Sequence, residues 1–147
     1  KNLLKEIAFK NLINDTIMSI EINKKKVNSN EENIKKIYNN FLAETKKKTK
    51  ILPRVKKKIL KKIRLQQEWN SLIARIYYKK INININEIEK KIKDLGYKDF
   101  NDSKTIELKE KMISDERNKK FNMYSKKHMN KIKKEQFVKI FKWKKLF

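Results

Sequence analysis

ILPRVKKKILKKIRLQQEWNSLIARIYYKKINININEIEKK, residues 51–91, is the stretch on which the reading of this chain turns. It opens near Pro53, whose missing N–H suits the first turn of a helix. Ile59, Ile63, Trp69, Leu72, Ile73 and Ile76 trace one apolar stripe, so the pattern predicts a long amphipathic helix over about 53–78. Ile81, Ile83 and Ile85 then alternate with Asn82 and Asn84, which reads as an extended segment or short strand over 81–85. Asn86 with Glu89 three residues on is a capping box. It opens a helix over about 86–95 that stops at Gly96, where a left-handed residue ends helices.

Upstream of this stretch, Leu3, Leu4, Ile7, Ala8, Leu12, Ile13, Ile17 and Ile20 recur at helical steps and predict a helix over about 2–25. Lys24-Lys25-Lys26 closes it, where cations favour the helix dipole. Ser29 with Glu32 is a second capping box, opening a helix over about 29–43 with Ile34, Ile37, Tyr38, Phe41 and Leu42 on its apolar face. Glu44 to Lys50 is a polar break. Downstream, Asp99 to Ser103 is a turn-rich loop. A long helix over about 104–134 follows, supported by Ile106, Met112, Ile113, Phe121, Tyr124, Met129 and Ile132. Phe137, Val138, Ile140 and Phe141 read as a strand-like segment over 136–142. No fixed-period repeat appears and no linker divides the chain. The expected fold is mainly α: a multi-helix core with a short C-terminal β-strand, in a single domain spanning 1–147.

Composition agrees with that class. The chain has 147 residues, of which 38 % are hydrophobic and 39 % charged, with one Gly and one Pro. Helices with a narrow apolar stripe and a wide solvated face fit this balance; a β-sandwich or a Gly-rich phosphate loop does not. The net charge of +24 invites an anionic partner, nucleic acid or membrane. Its cations are overwhelmingly Lys, with Arg only at 54, 64, 75 and 117, whereas Arg is the better reader of phosphate and bases. Lys, Asn and Ile share AT-rich codons, so genome composition is the competing explanation of the charge. No Cys is present, which removes disulfides, thiolate metal sites and a cysteine nucleophile. No apolar run reaches the roughly 18 residues of a membrane span. The chain starts at Lys1 without an initiator Met, as expected of a processed product or a fragment.

No catalytic constellation stands out. His128 is the only histidine and reads as a surface residue on a Lys-rich helix, with no metal or catalytic role. The acid pairs Glu31–Glu32 and Asp115–Glu116 suit helix capping and pairing with Lys. No GxSxG, HExxH, Walker or GxGxxG pattern occurs. An enzyme is not expected, nor a cofactor or metal. The basic runs Lys46-Lys47-Lys48, Lys56-Lys57-Lys58 and Lys61-Lys62 read either as phosphate or lipid contacts or as a solvated face whose stems cover apolar neighbours.

Within residues 51–91, Gln66-Gln67-Glu68-Trp69-Asn70-Ser71-Leu72-Ile73 followed by Lys80-Ile81-Asn82-Ile83-Asn84-Ile85-Asn86-Glu87-Ile88 resembles the N-terminal core of the SurA-type periplasmic chaperones. Their pattern is Q-x-x-W-x-x-L-I and then K-I-x-I-x-x-x-E-I. Leu12-Ile13-Asn14-Asp15, Glu21 to Val27 and Asn28-Ser29-Asn30-Glu31-Glu32 are similar to the family's preceding segment. Residues 106–141 resemble its long closing helix and strand. Three departures stand beside the likeness. The family's leading strand and helix would stand ahead of Leu3, the stretch between Phe41 and Pro53 is short, and Gly96 to Ser103 leaves no room for a parvulin-type prolyl isomerase domain.

The resemblance implies a periplasmic, ATP-independent holdase. It would bind unfolded outer-membrane polypeptides in an apolar groove, without isomerase chemistry. Trp69, Tyr77, Tyr78, Met123 and Tyr124 are the candidate client-binding residues, since aromatic and Met side chains suit promiscuous surfaces; their spacing equally suits a packed core. The Lys-rich exterior would also meet an anionic membrane surface. The alternative is a basic helical nucleic-acid-binding or ribosomal protein.

Overall fold

A computed structural model describes the backbone of residues 2–45 and 51–144, and the side chains of 3–45 and 51–136. It is mainly helical, and no strand occurs among the described residues. The elements are α1 (Asn2–Lys25), α2 (Glu31–Glu44), α3 (Pro53–Ile76), the single turn α4 (Tyr78–Ile81), α5 (Ile85–Asp94) and α6 (Ser103–Lys144). The run Lys46-Lys47-Lys48 and the side chains of Phe137, Val138, Ile140 and Phe141 lie outside the described residues.

Capping asparagines decide several boundaries. Asn30, not Ser29, caps α2: its side chain accepts from the N–H groups of Glu32 at 2.8 Å and Asn33 at 3.3 Å. Ser29 instead donates its hydroxyl to Glu68 on α3 at 2.9 Å. Likewise Asn84, not Asn86, caps α5, accepting from the Asn86 N–H at 3.1 Å. The expected extended segment 81–85 is therefore reduced to 82–84 between two helical ends. With no neighbouring strand among the described residues, the alternating Ile and Asn gain no ladder hydrogen bonds. The short Asn side chain bonds the local backbone instead. Asp102 caps α6 through Lys104 N–H at 3.1 Å and Thr105 N–H at 3.3 Å.

Two helix ends close with the same pair of bonds. After α5, Gly96 N–H reaches Lys93 O and Tyr97 N–H reaches Ile92 O, with Gly96 at φ 93°. After α1, Lys26 N–H reaches Asn23 O and Val27 N–H reaches Ile22 O, but the left-handed position, φ 50°, is held by Lys26. Both are Schellman closures. At the other extreme, the expected strand over 136–142 is replaced by helix, because α6 continues to Lys144. No Gly or Pro interrupts 103–144. Each added residue of a running helix costs far less than starting a new element.

Contacts group into two compact units, Lys1–Leu72 with His128–Phe147 and Ile73–Lys127, where the sequence reading expects one domain. In the first unit, Met18 and Ile22 of α1, Ile34 and Tyr38 of α2, Trp69 and Leu72 of α3, and Ile132 of α6 are buried. Each fully buried Leu or Ile contributes about 1.5–3 kcal/mol of transfer free energy. Polar pairs fix α2 on α3: Ser29 with Glu68, and the Arg64 guanidinium on Glu31 at 2.7 and 2.9 Å. Lys62 pairs with Asp15, joining α3 to α1. These exposed ion pairs set register more than they stabilise. In the second unit, Ile73, Ile88, Ile92 and Thr105 are buried. Lys109 bridges to Glu89 at 2.6 Å, and Lys120 donates to the Asn82 carbonyl at 3.0 Å. The Lys109 hydrogen bond and charge hold the Glu89 carboxyl below its ordinary pKa.

Candidate functional site

The five residues expected at a client groove are placed in three different environments. Trp69 is 2 % exposed and belongs to the core of the first unit, where its ring lies 5.7 Å from that of His128. Its indole is used for packing and presents no surface to a client. Tyr77 and Tyr124 stack on each other in the second unit, centroids 5.0 Å apart at 21°. Burial, and then the neighbouring Tyr124, pushes the Tyr77 phenol above its ordinary pKa. Tyr78 and Met123, beside them in sequence, are 75 % and 53 % exposed. The second unit thus holds a stacked tyrosine pair flanked along the chain by two exposed side chains.

His128 is not a surface residue. It is 8 % exposed, and its Nε2 lies 3.8 Å from Oε1 of the equally buried Glu21. Burial lowers its pKa and the Glu21 carboxylate opposes that shift. Its neighbours Lys126 and Lys127 suggested solvent. The better signal was Ile132, four residues on and on the same helical face, which is buried. No group of His, Cys, Asp and Glu suited to a metal ion occurs among the described residues.

The surface that the sequence reading missed lies on α1. Leu3, Leu4, Ile7, Phe9, Leu12, Ile13 and Ile20 are 40–73 % exposed. The apolar residues of α1 are spread around the whole helix rather than along one stripe. A helix apolar all round needs cover on every side. Among the described side chains of α1, only Met18, Glu21 and Ile22 are buried. Phe9, Ile13, Ile17 and Ile20 line an open apolar groove of about 460 Å³, with Lys10, Lys133 and Gln136 at its rim. The all-round distribution is legible in the sequence, where the same three- and four-residue steps also read as one stripe.

A second groove, of about 590 Å³, runs along α3. Pro53, Leu60 and Leu65 give it apolar lining, and Lys56, Lys57, Lys61 and Arg64 give it cations. Ser19 and Glu68 also line it. Part of this cationic face is engaged within the fold: Lys56 Nζ lies 5.6 Å from the centre of the Tyr38 ring, and Arg64 holds Glu31. No helix among the described residues is long and apolar enough to cross a membrane. Both grooves offer apolar contact and charge.

Comparison with protein-family models, with curated proteins and with solved structures finds no match for this chain.

Proposed function

We propose that this chain is a holdase-type chaperone of the SurA-like kind. It binds unfolded outer-membrane polypeptides in the periplasm and acts without isomerase or other covalent chemistry. The observation that carries the reading is the exposed apolar face of α1 with its groove at Phe9, Ile13, Ile17 and Ile20. An exposed apolar groove with charged and polar residues beside it marks an interaction site. The occupant is an extended, unfolded polypeptide rather than a second copy, because another copy brings the same +24 charge and self-repulsion opposes its docking. Binding an aggregation-prone unfolded chain holds it in solution by mass action. Tyr78 and Met123 offer further exposed surface in the second unit.

The test is light scattering from a urea-unfolded β-barrel membrane protein diluted into buffer. The wild-type chain suppresses scattering, and a Phe9→Ser/Leu12→Ser variant with unchanged circular dichroism does not. Equal suppression by both would remove α1 from the account.

A nucleic-acid reading is favoured by one observation, the row of cations on α3. It ranks second because Lys56, Lys62 and Arg64 are engaged by Tyr38, Asp15 and Glu31, and because the buried Trp69 offers no stacking platform. RNA binding that persists at about 0.2 M salt with a steep salt slope, alongside no effect on scattering, would reverse that ranking.

A further inference from the structure

We infer that the α3 groove selects extended polypeptide segments that carry acidic side chains at alternate positions. This inference rests on the holdase reading and names the client chemistry at a surface separate from the exposed face of α1. Lys57 and Lys61 fall at i and i+4, one above the other on the same helix face, while Arg64 beyond them is held by Glu31. The rise from Lys57 to Lys61 is about 6 Å. In an extended chain, side chains two residues apart point to the same side about 6.8 Å apart. Acidic side chains at alternate positions therefore match the cation spacing. Leu60 and Leu65 flank the line from Lys57 to Lys61 on either side in the groove lining and offer apolar contact to the aliphatic parts of the segment. Strands of transmembrane β-barrels carry this period-two pattern of apolar and polar residues.

Other occupants fit the lining less well. A base needs an aromatic face, and Pro53, Leu60 and Leu65 provide none. A lipid headgroup would meet the cations, but its acyl chains find no use for Glu68, which also lines the groove. A polypeptide does: the Glu68 carboxylate, which already accepts from Ser29, keeps lone pairs for a backbone N–H.

The test uses fluorescence anisotropy with two labelled peptides, one alternating Leu with Glu and one alternating Leu with Gln. The Glu peptide is expected to bind about tenfold tighter in low salt, about 1.4 kcal/mol, with the gap closing as salt screens the exposed charges. A Lys57→Glu/Lys61→Glu variant is expected to abolish or reverse the gap, and Lys57→Gln/Lys61→Gln to shrink it. Retained helical circular dichroism shows that each variant is folded. Equal binding of the two peptides, while unfolded protein is still held through α1, overturns this inference and leaves the holdase reading standing. Failure to hold any peptide or unfolded protein overturns both. Vesicles containing phosphatidylglycerol, or single-stranded RNA, that bind through Lys57 and Lys61 while the Glu peptide shows no advantage would make the groove a membrane or RNA contact and overturn the inference.

Discussion

At the scale of single residues, two left-handed helix ends make an internal comparison. Gly96 adopts φ 93° freely, whereas Lys26 holds φ 50° with a side chain attached. A non-glycine residue there costs about 1–2 kcal/mol, and the greater unfolded-state entropy of Gly offsets about half of that gain. Lys26→Gly is therefore expected to stabilise the chain by about 0.5–1 kcal/mol in urea titration. Gly96→Ala is expected to destabilise it by about 1 kcal/mol, through backbone strain alone, since a Cβ there meets nothing within 4 Å. His128 supplies a second test. Its folded-state pKa lies below the ordinary value because burial disfavours the imidazolium. The unfolded chain then takes up the proton more readily. Stability is full above the unfolded pKa of about 6.5 and falls as pH drops from there toward the folded value. As the only histidine, His128 gives a single imidazole NMR titration. Its midpoint is expected below about 6.5, and Glu21→Gln is expected to move it lower still by removing the opposing charge. A midpoint above the ordinary value would contradict the buried placement.

At the scale of elements, the helices were legible and their edges were only partly so. The predicted 2–25 and the observed α1 share both ends. Gly96 stops α5 as expected. The misplaced starts have one cause. Asn28-Ser29-Asn30 and Asn82, Asn84 and Asn86 offer several capping side chains within a few residues, and sequence spacing alone does not choose among them. Packing does. Ile88 and Ile92 of α5 are buried on one face, which sets the helix phase and leaves Asn84 where it can reach the Asn86 N–H. Asn84→Ala is expected to cost about 1 kcal/mol of stability by thermal or urea unfolding, and Asn86→Ala much less. The reverse order would restore the boundary expected from the sequence. The alternation at 81–85 and the apolar cluster at 137–141 both suggested strands. The short period-two signal yields to a strong cap in the first case; in the second, the i, i+1, i+3, i+4 spacing suits a helix equally and α6 runs on uninterrupted.

At the scale of the whole molecule, the mainly helical class followed from composition, because one Gly and one Pro leave little else. The site was much less legible. Aromatic residues were the natural candidates for a client groove, yet Trp69 is buried and Tyr77 stacks on Tyr124. Aromatics bury the most apolar area, so a small core claims them first. The exposed apolar surface fell instead to the Leu and Ile residues of α1, together with Phe9. On the proposed reading, the +24 charge acts on this surface indirectly, opposing the pairing of two copies and favouring neutral or acidic polypeptides. On the same reading, the exposed apolar surface of α1 holds unfolded polypeptide. The most direct measurement is the scattering of a diluted, urea-unfolded β-barrel membrane protein with the wild-type chain and with the Phe9→Ser/Leu12→Ser variant. Suppression by the wild type and its loss in the folded variant are expected; undiminished suppression by the variant, or none by the wild type, would overturn the holdase reading.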